Sequence, residues 1–101
     1  MDPLGRNMAT SETYRALTQM TLDLAEELCS GRLLALHEGG YSTAYVPCCG
    51  LATMEEFNGV RMEFADPFMP IFAGMDGQDL QPHQKAVINA AAALVARVPV
   101  G

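Results

Sequence analysis

Cations are scarce in this chain. Six Lys and Arg stand against twelve Asp and Glu in 101 residues, for a formal charge of -6. Phosphate-backbone binding needs clustered cations, so this balance argues against a nucleic-acid partner. Acidity of this size mildly suits cationic substrates and, more simply, keeps a protein in solution. Cysteines are also few. Cys29, Cys48 and Cys49 are odd in number and two are adjacent, which does not fit a secreted disulfide framework. Adjacent residues rarely meet disulfide geometry, and a CxxC zinc pattern is absent, so reduced, buried thiols of a cytosolic protein are expected. Long apolar runs are missing too. The longest, Ala90 to Ala96, is far too short to cross a bilayer, and no apolar signal core follows the N-terminus. The expectation is a soluble, cytoplasmic protein with no membrane partner.

What is present is a globular composition: half the residues are hydrophobic and 18% are charged. Residues 1–9, with Pro3, Gly5 and Asn7, read as loop. Thr10 is a good helix N-cap with Glu12 in the first turn. Leu17, Met20, Leu24 and Leu28 recur at helical spacing, which predicts an amphipathic helix over 10–30. The run 32–37, Arg-Leu-Leu-Ala-Leu-His, predicts a short strand buried on both faces. A second helix is predicted over 42–57, with Pro47 early and Asn58-Gly59 as its stop. Residues 60–78 form an apolar arm with Pro67, Pro70, Gly74 and Gly77, which should dock on something. A last helix over 79–98 carries an apolar stripe of Val87, Ile88, Ala91, Leu94, Val95 and Val98. A lone strand makes no sheet, so the pattern suggests a piece of a larger α/β domain, or a chain that completes its sheet by homo-oligomerising.

The candidate chemistry sits in Glu38-Gly39-Gly40-Tyr41, where the predicted strand gives way to a helix. In open α/β proteins, sites gather at the carboxyl ends of strands. Two glycines allow unusual dihedrals and close backbone approach, and a phenol after them can donate a hydrogen bond to a developing oxyanion. By position alone, Tyr41 is more often packing than catalysis. His37 and His83 read as a structural and a surface histidine, and Glu55-Glu56 as a solvated helix face.

A longer succession frames that loop. Asp2-Pro3-Leu4-Gly5-Arg6 and Thr10-Ser11-Glu12-x-Tyr14 precede Leu28-Cys29-Ser30-Gly31-Arg32. Leu33 to Tyr41 follow, then Cys49-Gly50-Leu51-Ala52 and the arm from Asp66-Pro67-Phe68 to Phe72-Ala73-Gly74-Met75. This resembles the C-terminal part of class II-type histone deacetylases, in particular bacterial histone deacetylase-like amidohydrolases and acetylpolyamine-hydrolysing relatives. The resemblance implies the fold class α/β, as the C-terminal fragment of an arginase/deacetylase-like parallel-sheet domain.

It also implies a zinc-dependent hydrolase acting on N-acetyl amides of lysine or other amines. Tyr41 would be the catalytic hydrogen-bond donor, Gly39 and Gly40 would shape the substrate pocket, and Glu38 would support them from behind. The family's zinc ligands and histidine pair find no counterpart here: Asp2 matches a later aspartate of its segment, and His37 and His83 match neither histidine role. This chain alone is therefore expected to bind no metal and to be inactive. Two other readings stand beside the enzyme fragment. One is a non-catalytic, oligomerising interaction protein derived from such an enzyme. The other, weaker, is a metal-free hydrolase using His37, Glu38 and Tyr41.

Overall fold

The computed structural model describes residues 2–77 and 79–99. Met1 of the expected loop, Gln78 of the expected arm and the last two residues lie outside this description. The chain divides into two units, Met1–Met69 and Pro70–Gly101.

In the first unit, helix α1 spans Ser11–Cys29. It starts where local chemistry says it should. The Thr10 hydroxyl accepts from the Thr13 N–H at 3.3 Å, and the Thr13 hydroxyl accepts from the Thr10 N–H at 3.2 Å. This is a reciprocal capping box built with threonine at the position usually held by Glu or Gln. At the far end Ser30 and Gly31 both have positive φ, and the Gly31 N–H reaches back to the Ala25 carbonyl at 3.0 Å. Helix α2 spans Val46–Asn58. Its first free amides, Tyr45 and Val46, both donate to the Ser42 carbonyl at 2.9 Å. Pro47 occupies the first turn, where no N–H is needed, and Gly59 closes the helix in the left-handed region.

The two helices pack on each other, but not through the predicted stripe of α1. The buried residues of α1 are Ser11, Thr18 and Ala25, seven apart, and those of α2, the helix it packs on, are Cys48, Cys49, Ala52 and Glu55. Leu17, Met20, Leu24 and Leu28 are exposed. At 100° per residue the large stripe lies roughly a third of a turn around α1 from the small one. Small residues let the helix axes approach, so α2 covers that line and leaves the leucines uncovered.

The predicted strand is the main correction. Residues 31–40 are exposed throughout, and no strand is formed among the described residues. Leu34 and Leu36 are 82% and 77% exposed. A strand exists only by pairing along an edge, and no second strand is available among the described residues. The described architecture is therefore helical, and the expected parallel α/β sheet is not formed among the described residues.

Within the expected arm, residues 60–68 are irregular and Met69–Ala73 make a single short helix, α3. The second unit is organised around α4, Pro82–Val95. Gln81 and Gln84 cap it reciprocally and Pro82 fills its first position. None of its residues is buried, so its predicted stripe is exposed.

Candidate functional site

The loop after residue 37 is shaped by its two glycines. Gly39 and Gly40 have φ of +71° and +90°, a region where a side chain is strained. At Gly40 space is also short. A Cβ there would lie 2.9 Å from Val46 Cγ2 and 3.2 Å from His37 Nε2. At Gly39 the Tyr41 ring lies alongside, in ordinary contact with where a Cβ would be. Tyr41 itself is 57% exposed.

The loop is held by a residue that the sequence reading left without a role. Asp2 Oδ2 accepts the Tyr41 N–H at 2.9 Å, while Oδ1 accepts from Leu4 and Gly5 at 2.9 and 2.7 Å. The hydrogen bonds from the Gly5 and Tyr41 amides hold the Asp2 carboxyl below its ordinary pKa. The local half of this arrangement has a sequence signal: Asp-Pro-Leu-Gly is a turn pattern in which Asp bonds its own following amides.

A groove of about 660 Å³ runs between α1, α2 and residues 35–42. Leu17, Val46, Met54 and Phe57 give it apolar walls, and Asp2, His37 and Glu38 add polar groups. Glu38 and Gly40, two of the expected site residues, line it; Gly39 and Tyr41 do not. His83 is exposed on α4, in the other unit. Among the described residues no three His, Cys, Asp or Glu side chains gather into a group able to hold a metal ion. The donors present therefore do not fit a zinc site.

No protein-family model matches the chain. Over 67 residues it is 54% identical to a histone deacetylase-like amidohydrolase of Pseudomonas aeruginosa, a match covering 66% of this chain and 18% of that protein. Over 54 residues it is 43% identical to histone deacetylase 8 of Arabidopsis thaliana, covering 54% of this chain and 14% of that protein. The chain carries a partial histone deacetylase-like region. It spans less than a fifth of the length of either relative. The likeness implies the deacetylase-like fold, although the described part of it is helical.

Two buried polar clusters brace this deacetylase-like region. At the start of α1, the Ser11 N–H donates to the Tyr45 hydroxyl at 2.8 Å, and that hydroxyl donates to Asp66 Oδ2 at 2.9 Å. The Ser11 hydroxyl and the Phe68 N–H also donate to Asp66. Burial pushes the Asp66 carboxyl up, but these hydrogen bonds outweigh it and leave its pKa below the ordinary value. Burial pushes the Tyr45 hydroxyl's pKa up. The Phe68 ring stands edge-on to Tyr45, with centroids 5.3 Å apart.

The second cluster overturns the solvated reading of Glu55 and Glu56. Glu55 is 6% exposed. It meets Arg15 at 2.6 Å and accepts the Met62 N–H at 2.8 Å. Glu56 meets Arg61 at 2.7 Å and Arg15 at 3.3 Å. The Met62 amide, then Arg15, hold the Glu55 carboxyl below its ordinary pKa. Cys48 and Cys49 are buried free thiols, and burial raises both their pKa values, which keeps them protonated and unreactive. Cys29 is half-buried. No helix of the described residues is long and apolar enough to cross a membrane.

Proposed function

We propose that this deacetylase-like region serves a deacetylase or amidohydrolase that cleaves N-acetyl amides, on lysine side chains or other amines, and that it contributes Tyr41 as the hydrogen-bond donor to the acyl oxygen. The observation that carries the reading is the 54% identity to a histone deacetylase-like amidohydrolase. The local geometry supports it. The left-handed glycines present an exposed phenol on a loop whose amide is tied down by Asp2.

In this role the Tyr41 hydroxyl donates to the acyl oxygen as that oxygen gains charge, a bond stronger in the transition state than in the ground state. Gly39 and Gly40 permit close approach of the acyl group to backbone, and Glu38 acts on the loop rather than on substrate. A zinc ion, the group that the resemblance implies, finds no donor set among the described residues, so no step is assigned to it and this chain alone is proposed to be inactive.

The test is a chimera of the Pseudomonas enzyme carrying residues 10–59 of this chain in place of its own aligned segment. Tyr41→Phe in the active chimera should lower kcat by roughly 100- to 1,000-fold, the usual effect of losing one oxyanion donor. KM should change far less. An unchanged kcat would remove Tyr41 from the chemistry.

A further inference from the structure

We propose that Asp2 is a positioning residue for Tyr41: its carboxylate sets where the phenol stands when it donates to the acyl oxygen. This deepens the deacetylase reading and rests on Tyr41 being that donor. Tyr41 follows two glycines at positive φ, and glycine is the residue least able to hold a backbone in one conformation. Among the described residues, the one hydrogen bond made by residues 38–41 runs from the Tyr41 N–H to Asp2 Oδ2 at 2.9 Å. The backbone is fixed again one residue later, where the Ser42 carbonyl receives the Tyr45 and Val46 amides at the head of α2. The Tyr41 ring lies back over Gly39, its hydroxyl 3.7 Å from where a Cβ on Gly39 would be. The held amide and the ring share one Cα, so a shift of the amide carries the phenol with it. Placement of about 1 Å matters for a group that must meet a reacting atom.

Asp2 can hold the loop because it is itself held. Its N–H donates to the Asn7 carbonyl at 2.8 Å, and its Oδ1 accepts from Leu4 and Gly5. Asn7 Oδ1 in turn accepts the Ala9 N–H at 2.8 Å, one residue before the Thr10 cap of α1. The turn over residues 2–9 is therefore complete with one carboxylate oxygen, and the other is left to reach the loop 39 residues away. Both partners of that bond lie outside residues 32–37, so it asks nothing of that run. The two oxygens also separate two roles. Asparagine at position 2 keeps an oxygen for Leu4 and Gly5 but turns an NH₂ donor toward the Tyr41 N–H, and two donors cannot bond. Asp2→Asn thus spares the turn and removes the hold on Tyr41.

Two measurements on Asp2→Asn test the assignment. In the whole chain, the Leu4 and Gly5 amide shifts should stay near wild type. The order parameters of the Gly39, Gly40 and Tyr41 amides should fall from about 0.85 to roughly 0.6 or below, the range of mobile backbone. Activity is read in a chimera of the Pseudomonas enzyme carrying residues 2–59 of this chain in place of its own aligned segment. There Asp2→Asn should lower kcat by roughly 10- to 100-fold and change KM far less. In the Tyr41→Phe background the same substitution should cost less than about twofold, because a residue that acts through the hydroxyl then has nothing to position. Unchanged order parameters overturn the proposal without recourse to activity. So does a kcat indifferent to Asp2→Asn but lowered by Tyr41→Phe, or a double variant whose losses simply multiply; in each case Tyr41 keeps its role. A kcat indifferent to Tyr41→Phe removes instead the reading on which the proposal rests.

Discussion

Tyr45 and Tyr41 lie four residues apart and use the same hydroxyl in opposite ways. Tyr45 is buried, and its oxygen both accepts the first free amide of α1 and donates to Asp66. Tyr45→Phe keeps the ring contact with Phe68 but leaves the Ser11 N–H buried without its acceptor. The cost should be about 1–3 kcal/mol, the penalty for stranding a buried donor, read as a lower urea midpoint with an unchanged slope. A smaller loss than a surface substitution causes would mean that the phenol does not cap the helix. Tyr41 is exposed, and what fixes it is its amide. Asp2 has a lowered pKa when folded, so its contribution is fully present above the unfolded value and is lost as pH falls through the folded one. The Tyr41 amide proton should therefore keep a constant shift at neutral pH and move only below the ordinary aspartate value of 3.8. Nuclear magnetic resonance titration checks this, with Asp2→Asn as the control that abolishes the acidic transition. A Tyr41 amide that does not respond at any pH would place Asp2 elsewhere.

At the scale of elements, the ion network between α1 and the end of α2 ranks its members by burial. The Arg15 side chain is 18% exposed and faces the buried Glu55, whereas Arg61 is 60% exposed. Arg15→Met should thus lower the thermal midpoint clearly more than Arg61→Met, because it strands a buried carboxylate rather than a rim charge. The reverse order would show that Arg61 is the true counter-ion. The Glu55 pKa is lowered in the folded chain, so the stabilisation exists above the unfolded glutamate value and fades as pH drops through the folded one. This network also marks the limit of what the sequence discloses. Helix ends were legible because caps are local: Thr10, Pro47, Asn58-Gly59 and Pro82 announce α1, α2 and α4 within a few residues. Buried faces were not. Glu55 and Glu56 look solvated until Arg15, 41 residues before Glu56, is brought to them. The choice between the two stripes of α1 depends on α2, and a strand depends on a neighbour that no local pattern supplies. The glycines of the candidate site were legible as a loop, but the Asp2–Tyr41 bond spans 39 residues and only its Asp-Pro-Leu-Gly turn could have been anticipated.

For the whole molecule the question is how much of its apolar content is under cover. Half the sequence is hydrophobic, yet the buried apolar residues among those described are Ala25, Tyr45, Cys48, Cys49 and Ala52, all in the first unit. Burial contributes about 25 cal/mol per Å², so stability should concentrate where α1 meets α2. The second unit has a different balance. Its helix α4 has 14 residues and buries none, and isolated helices of about 12–15 residues are marginal in water even with good composition. Its capping glutamines and its alanines favour helix, but only by tenths of a kcal/mol each. Native-state hydrogen exchange should therefore separate the units. The amides of α1 and α2 around Thr18, Ala25 and Ala52 should exchange slowest and together, as one cooperative element. Those of α4 should exchange within roughly 100-fold of unstructured rates, as marginal isolated helices do. Protection of α4 equal to that of α1 would mean that its exposed stripe is covered in solution.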